Sequence, residues 1–380
     1  MQNLPPLSLY IHIPWCLKKC PYCDFNSHAV KDSLPEKHYI DCLLVDLARD
    51  IERYNINRPL QSIFIGGGTP SLFSPESINR LLLSIETQIH FVSDIEITLE
   101  ANPSTFEFEK FAEFHAIGIN RLSIGVQSFD ETLLNELGRV HSGKEAIAAA
   151  EMAHKVGFEN FNLDLMFGLP KSTLTHSEHD IRTAIALQPT HLSFYQLTLE
   201  PNTYFYRYPP VLPSDEFIFT IQQHCQHILA KHHYAQYEVS AYSLTGKQCR
   251  HNVNYWQFGD YLGIGAGAHG KLSLELPSQI IRTQKPKHPE RYEQLNTRDV
   301  IETKVEAVDL PLEFLMNHLR LKQGFTTSHY ENITGLSAKT LQPALSECVQ
   351  TGLLIQNENH YVCTKLGWNF LDNVLQKFLP

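Results

Sequence analysis

The chain has 380 residues, enough for two domains or for one large domain with an appendage. Hydrophobic residues make up 43% and charged residues 19%, and 31 basic against 41 acidic side chains leave a formal net charge of −10, which argues against non-specific nucleic-acid binding because that needs a basic footprint. No apolar run reaches the ~20 residues of a membrane span, no export signal is visible at the N-terminus, and eight cysteines in so long a chain are no disulfide scaffold, so the expectation is a cytoplasmic protein whose clustered cysteines bind metal.

The first two hundred residues alternate short apolar runs with helical stretches. "LSLYIHI" (7–13), "SIFIGGG" (62–68), "IEITLEA" (95–101), "RLSIGVQ" (121–127), "NFNLDLMFG" (160–168) and "HLSFYQLT" (191–198) read as buried strands, rich in Ile, Leu, Phe and Tyr. Between the first two, Ile40, Leu43, Leu44, Leu47 and Ile51 form one helical stripe. Ser74-Pro75-Glu76 opens a second helix with a cap and a Pro in its first turn, and "SGKEAIAAAEMAHKVG" is a third helix with a glycine stop. Strand–helix units in series predict a parallel sheet, and six are too few to close a (β/α)8 barrel, so an α/β fold with a partial (β/α)6 barrel is expected. Sites in such folds form at the carboxyl ends of strands. The cysteines, Gly66-Gly67-Gly68-Thr69-Pro70, Glu100, Gln127 and Asp164 all fall at or near such ends.

The pattern fades at the Pro-rich stretch 200–216, which places a first domain at 1–205. A middle region, 206–305, holds a helix ("EFIFTIQQHCQHILAKHH"), a strand ("QYEVSAYS"), a glycine-rich turn ("YLGIGAGAHG") and a polar connector at 275–300. Residues 306–380 read as a helix ("LPLEFLMNHLRLKQG"), a short helix, a third helix ("SAKTLQPALSECVQTG") and a hairpin turning at "NENH", a small winged-helix-like unit. Its Arg320, Lys322, Lys339, Lys365 and Lys377 are balanced by Glu313, Glu331, Glu347, Glu358 and Asp372, so packing or protein contact is expected there and no nucleic acid.

Cys16, Cys20 and Cys23, spaced C-x3-C-x2-C, lie in one loop after the first strand. A structural zinc would want a fourth ligand; His12 and His28 are near, yet neither completes a second knuckle. Four thiolates usually hold an iron–sulfur cube. Three leave one iron open to the amino and carboxylate groups of a small molecule. Cys42, inside a helix, and the isolated Cys225, Cys348 and Cys363 read as packing residues.

This triplet, with Tyr22 before its last cysteine, resembles the signature of radical S-adenosylmethionine (SAM) proteins, and Gly66–Pro70 resembles their glycine-rich loop. The resemblance extends through "LEANP", "RLSIGVQSF", "NLDLMFGLP", "CRHNVNYW" and "YLGIGAGAHG". It is to the group that contains oxygen-independent coproporphyrinogen dehydrogenase and the heme chaperone HemW. It implies a [4Fe–4S] cluster on Cys16, Cys20 and Cys23, with SAM on the fourth iron. It implies SAM contacts from Tyr10, Tyr22, Gly67, Gly68, Thr69, Glu100, Gln127, Arg139 and Asp164, and an approach by His269. Read alone, Tyr10 is a strand-packing residue, the glycines a tight turn and Arg139 a solvated helix-end charge. Asp164, an acid on a buried strand, needs a partner.

Within this group the dehydrogenases carry another cysteine two residues after the third and a longer segment ahead of the cluster. Here that position is Phe25, and Cys16 leaves little room ahead of it. His251-Asn252-Val253-Asn254-Tyr255-Trp256 matches the H-N-x-x-Y-W motif of the chaperones; a neutral imidazole suits axial iron and aromatics suit a porphyrin face. Read alone it is a loop histidine with two packed aromatics. The resemblance therefore implies a heme chaperone with His251 on heme, serving respiratory haemoproteins at the membrane surface, and it leaves room for a homodimer. The alternatives are an oxygen-independent coproporphyrinogen III oxidase and a zinc-stabilised structural protein. Anaerobic reconstitution with iron and sulfide should give a brown protein with about four irons per chain if the cluster reading holds; a colourless protein retaining zinc would favour the last alternative.

Overall fold

The computed structural model describes residues 4–379 apart from 32, 105–106, 108, 276–278 and 295–298. Six strands form in the predicted places: β1 (Leu7–Ile13), β2 (Leu60–Gly67), β3 (Phe91–Ala101), β4 (Arg121–Gln127), β5 (Phe161–Phe167) and β6 (His191–Gln196). They lie side by side in sequence order, each parallel to the next. Helices α1 (Glu36–Arg53), α2 (Pro75–Gln88), α3 (Phe111–Ala116), α4 (Glu131–Glu136), α5 (Gly143–Lys155) and α6 (Leu174–Ala186) make the crossovers. The caps are those the sequence announces. Ser74 Oγ accepts from Ser77 N–H, and Ser142 and Glu145 close a capping box.

Beyond residue 206 the chain extends the same sheet at both edges. After α7 (Asp215–Lys231) come strands β7 (Ala235–Glu238) and β8 (Ala241–Ser243); β8 adds antiparallel to β6 and β7 antiparallel to β8. "QYEVSAYS", expected as one strand, is thus two, separated at Val239-Ser240. "CRHNVNYW", expected as a loop, forms the short helix α8 (Arg250–Trp256); the Glu96 carboxylate accepts the backbone N–H groups of Arg250 and His251 and holds its first turn. The glycine-rich "YLGIGAGAHG", expected as a turn, supplies a seventh parallel strand, β9 (Asp260–Ile264), beside β1, then the turn, then β10 (His269–Glu275). The connector expected at 275–300 contains β11 (Gln279–Gln284), which pairs with β10 and with β12 (Ile301–Lys304); residues 276–278 and 295–298 of that expectation lie outside the described residues. The full order is β12-β11-β10-β9-β1-β2-β3-β4-β5-β6-β8-β7, twelve strands among the described residues whose two end strands do not pair with each other, which is a partial barrel.

The last residues build α9 (Leu310–His318), α10 (Thr327–Thr334), α11 (Ala344–Gln350) and a small sheet of β13 (Phe325–Thr326), β14 (Leu354–Asn357) and β15 (His360–Cys363), the winged-helix-like unit. Two helices are shorter than the sequence pattern. The first stops at His318 because Leu321 pairs with Glu238 of β7. The third is split by Pro343, which has no N–H to give the ladder. This unit has its own apolar core around Phe314, Tyr330 and Leu345, whereas one continuous core runs from Leu7 to Tyr292. Cys225 and Cys348 sit in these cores, as expected of packing residues.

A buried ionic cluster ties the added strands to α1. Lys285 Nζ donates to Asp46 Oδ1 at 2.6 Å and to both Asp50 oxygens at 2.9 Å, and the Tyr292 hydroxyl donates to Asp46 Oδ2 at 2.8 Å. All four side chains are buried. Removing the cation would strand two carboxylates away from water. Lys285→Met is therefore expected to cost about 3–5 kcal/mol in urea denaturation, against a change near zero for a substitution of the exposed Lys231.

Candidate functional site

Strand periodicity decides what the sheet encloses. On β4, β5 and β6 the residues Arg121, Ser123, Gly125 and Gln127, then Asn162, Asp164 and Met166, then His191, Ser193 and Tyr195 face inward and line one cavity. Their alternating neighbours Leu122, Ile124, Val126, Leu163, Leu165, Leu192 and Phe194 pack into the core outside. The cavity is about 560 Å³ in volume. Its wall also includes the cysteine loop, Gly67–Thr69, Glu100, Asn102, Arg139 and, from farther along the chain, Glu238, Asn252, Trp256 and Arg320.

The cysteine loop is held by its own backbone. Trp15-Cys16 pairs in parallel with His28-Ala29. Asn26 donates to the carbonyls of Ala266 and Lys287 at 2.8 and 2.7 Å, which fastens the loop to the glycine turn after β9. A side chain at Gly267 would strike Asn26, which is why that turn is glycine-rich. His12 supports the base of the loop. Its Nε2–H donates to Asn26 O at 2.8 Å, so its Nδ1 accepts the Tyr10 hydroxyl at 2.9 Å; burial pushes its pKa down to about 4 and keeps the ring neutral.

Cys16, Cys20 and Cys23 all face the cavity. Burial pushes the Cys16 and Cys23 thiols up, so an electropositive ligand is needed to hold them as thiolates. Among the described residues no three Cys, His, Asp or Glu side chains converge as they would on a single ion. A cube makes a different demand, one iron per thiolate, and three separated thiols on one loop fit it. Thr69 N–H donates to Trp15 O at 2.7 Å and Gly68 N–H to Ile13 O at 2.8 Å; a Cβ at Gly68 would lie 2.5 Å from that Trp15 oxygen. This backbone contact fixes the glycine-rich loop against the cysteine loop.

The polar residues above it are ordered by one another. Glu100 accepts Gly67 N–H at 3.0 Å. Arg139 Nη2 donates to Asn102 Oδ1 (2.8 Å) and Gly125 O (2.7 Å), and its Nη1 approaches Cys20 Sγ at 3.7 Å. Arg139 is thus a half-buried, hydrogen-bonded cation beside a cysteine, where the sequence alone reads a solvated charge. Gln127 adopts φ 71° and accepts the Tyr195 hydroxyl at 2.7 Å. Asp164 accepts from Asn162 Nδ2 at 2.8 Å and from Ser123 Oγ at 3.3 Å, partners for an acid on a strand that is otherwise buried. Tyr22 lines the cavity with its ring against Phe205. Carboxylates, amide groups and a guanidinium around one space match a ligand bearing amino, carboxylate and ribose hydroxyl groups.

Three expected residues stand apart from this wall. Tyr10 is engaged by His12, with its ring near Phe64. His269, at the start of β10, pairs with Gln284 of β11. His251 is only 8% exposed: its ring lies 5.2 Å from that of Phe64 and its Nδ1 is 3.2 Å from Ser62 Oγ, while Asn252 and Trp256 of the same motif do reach the cavity. Sequence reasoning missed Arg121, Asn162, His191, Ser193 and Tyr195. The signal was present as polar–apolar alternation inside strands that otherwise look wholly buried.

A barrel of this kind with three thiols after its first strand defines a radical SAM protein, and the Radical SAM superfamily model matches residues 10–184. The HemN C-terminal domain model matches 305–370. Proteins named Heme chaperone HemW from Haemophilus influenzae and Escherichia coli are 49% and 47% identical, each over 100% of this chain and 99% and 100% of their own lengths. One from Bacillus subtilis is 34% identical over 98% of this chain and 99% of its own. The chain belongs to the HemW family. A solved structure, coproporphyrinogen III oxidase (HemN) from Escherichia coli, superposes with a TM-score of 0.82 over 99% of this chain and 90% of that one, at 23% identity, and shares the fold. Among the described residues no helix is long and apolar enough to cross a membrane.

Burial, with Asp164 nearby, pushes the Glu100 carboxyl up to about 7 from its ordinary 4.5. The folded state therefore holds that proton more tightly than the unfolded one. The associated stability is fully present below pH 4.5 and is lost as pH rises through 7. Because the carboxyl lines an open cavity, water screens part of the effect. In cluster-free, SAM-free protein, Glu100→Gln is expected to reduce the loss of denaturation free energy between pH 5 and pH 8 by about 1–3 kcal/mol.

Proposed function

We propose that this chain is a cytoplasmic heme chaperone that binds heme as cargo, holds one [4Fe–4S] cluster and SAM, and hands the heme to respiratory haemoproteins at the membrane surface. The observation that carries this reading is similarity along the whole chain, at 49% and 47% identity, to two proteins named as heme chaperones. Cys16, Cys20 and Cys23 would hold the cluster. Gly67, Gly68, Thr69, Glu100, Gln127, Arg139 and Asp164 would bind SAM, with Tyr22 against it and Tyr10 steadying the base of the loop. When bound, the cluster supplies one iron without a protein ligand and an electron for SAM. The chain's own part is to fix the thiols, exclude water with Tyr22 and Tyr195, and offset negative charge at Cys20 with Arg139.

His251 is our candidate for heme contact. Burial pushes its pKa down to about 3, which keeps the imidazole in the form that binds iron. The Ser62 hydroxyl can accept the Nδ1 proton, leaving Nε2 with its lone pair. Iron would reach that nitrogen from the cavity side of α8, where Asn252 and Trp256 form the wall. Phe25, 58% exposed, stands where the oxidases carry a further cysteine and supports the chaperone over the oxidase. We also propose the division 1–205, 206–305 and 306–380; the separate apolar core of the last unit supports its boundary.

The test is reconstituted full-length protein incubated anaerobically with heme, SAM and reductant, then with an apo-haemoprotein acceptor. Heme binding and transfer, lowered about tenfold or more by His251→Ala, are expected. Wild-type transfer by His251→Ala would remove that residue's role, and conversion of coproporphyrinogen to protoporphyrinogen would replace the chaperone with the oxidase.

A further inference from the structure

One cation in the cavity is left under-satisfied. Arg121, at the start of β4, is 2% exposed and lines the cavity at the end remote from Gln127. Its guanidinium makes one long hydrogen bond, Nη1 to Thr98 Oγ1 at 3.5 Å, and its buried Nε has no partner. A guanidinium carries five N–H donors. Burying one in this state is costly unless something completes it.

The neighbouring carboxylates do not complete it. Glu96 is occupied by Cys249 Sγ and by the N–H groups of Arg250 and His251. Asp164 is occupied by Asn162 and Ser123. Glu238 takes Ser240 N–H at 2.9 Å and pairs with Arg320 at 3.1 Å. His191 is saturated by Asn162 on one nitrogen and the Tyr237 hydroxyl on the other. Among the described residues Arg121 forms no ion pair within 4.0 Å. Arg121 thus lines the cavity with donors unspent, and a planar guanidinium selects a carboxylate, which it can bind through two parallel hydrogen bonds.

The position says which carboxylate. The same end of the cavity is walled by Phe64, Asn252 and Trp256, the last carrying Arg320 over its ring at 4.3 Å. Phe64 and Trp256 offer apolar faces, and α8 carries His251 directly behind Phe64. We propose that Arg121 anchors a propionate of the porphyrin, placing the macrocycle against the Phe64–Trp256 wall with its iron toward α8. This rests on the chaperone reading and adds a carboxylate-recognising subsite to it.

The experiment titrates full-length, cluster-reconstituted protein with heme and with heme dimethyl ester, which keeps the ring and iron but has no carboxylate. Soret absorbance and tryptophan fluorescence report binding. The ester should bind wild type about tenfold or more weakly than heme, the size of a lost charge-assisted pair. Arg121→Gln should lose a similar factor for heme and none for the ester, with Arg121→Lys in between. The ester comparison on wild type needs no variant, so a folding defect cannot mask the result. Equal binding of heme and ester by wild type, or unchanged heme binding by a folded Arg121→Gln, would overturn the subsite and leave the chaperone reading standing. Failure of wild type to bind either porphyrin would overturn both.

Discussion

A sheet whose inner face is polar cannot cover that face with an apolar layer. Arg121, Asp164, Asn162 and His191 point one way along their strands while Leu122, Leu163 and Leu192 point the other. Only the second set can pack under helices. The strands must therefore curl around the first set, and the polar groups must be satisfied by one another, by water or by ligand. The partial barrel, its cavity and its binding capacity all follow from this one alternation.

The cysteine loop depends on the same curl. Its three thiols reach the cavity because β1 ends beside β2 and β9, and the loop is tied to both. Gly68 presses its backbone against Trp15, and Asn26 caps the turn after β9. Neither contact exists unless strands distant in sequence lie side by side. The late-sequence strand β9 is thus part of the cluster support, although the chain reaches it only after some 250 residues.

Sequence reading succeeded where local rules govern. The six strands, the capped helices α2 and α5 and the hairpin ending at Cys363 were legible from short-range patterns, and the three cysteines and Gly67–Thr69 from spacing. It fell short where partners decide. "YLGIGAGAHG" contains too much glycine to look like a strand, yet β1 supplies a ladder for Asp260–Ile264. "CRHNVNYW" has no capping side chain of its own, and Glu96 on β3 does that work. Arg139 looked solvated because nothing nearby in sequence predicts Asn102, Gly125 and Cys20 as its neighbours.

The sequence by itself determined the chemistry available: three closely spaced thiols with no fourth cysteine in their loop, a glycine-rich loop able to approach them, and strands with one polar and one apolar face. Composition and spacing suffice for that because they act over a few residues. Only the tertiary structure decided which polar groups are already engaged and which are not. Arg139 is held by three partners, His251 packs against Phe64, and Arg121 lines the cavity with a single long hydrogen bond and an unpartnered Nε. Hydrogen-bond satisfaction is a property of neighbours in space, and the curl of the sheet chooses those neighbours.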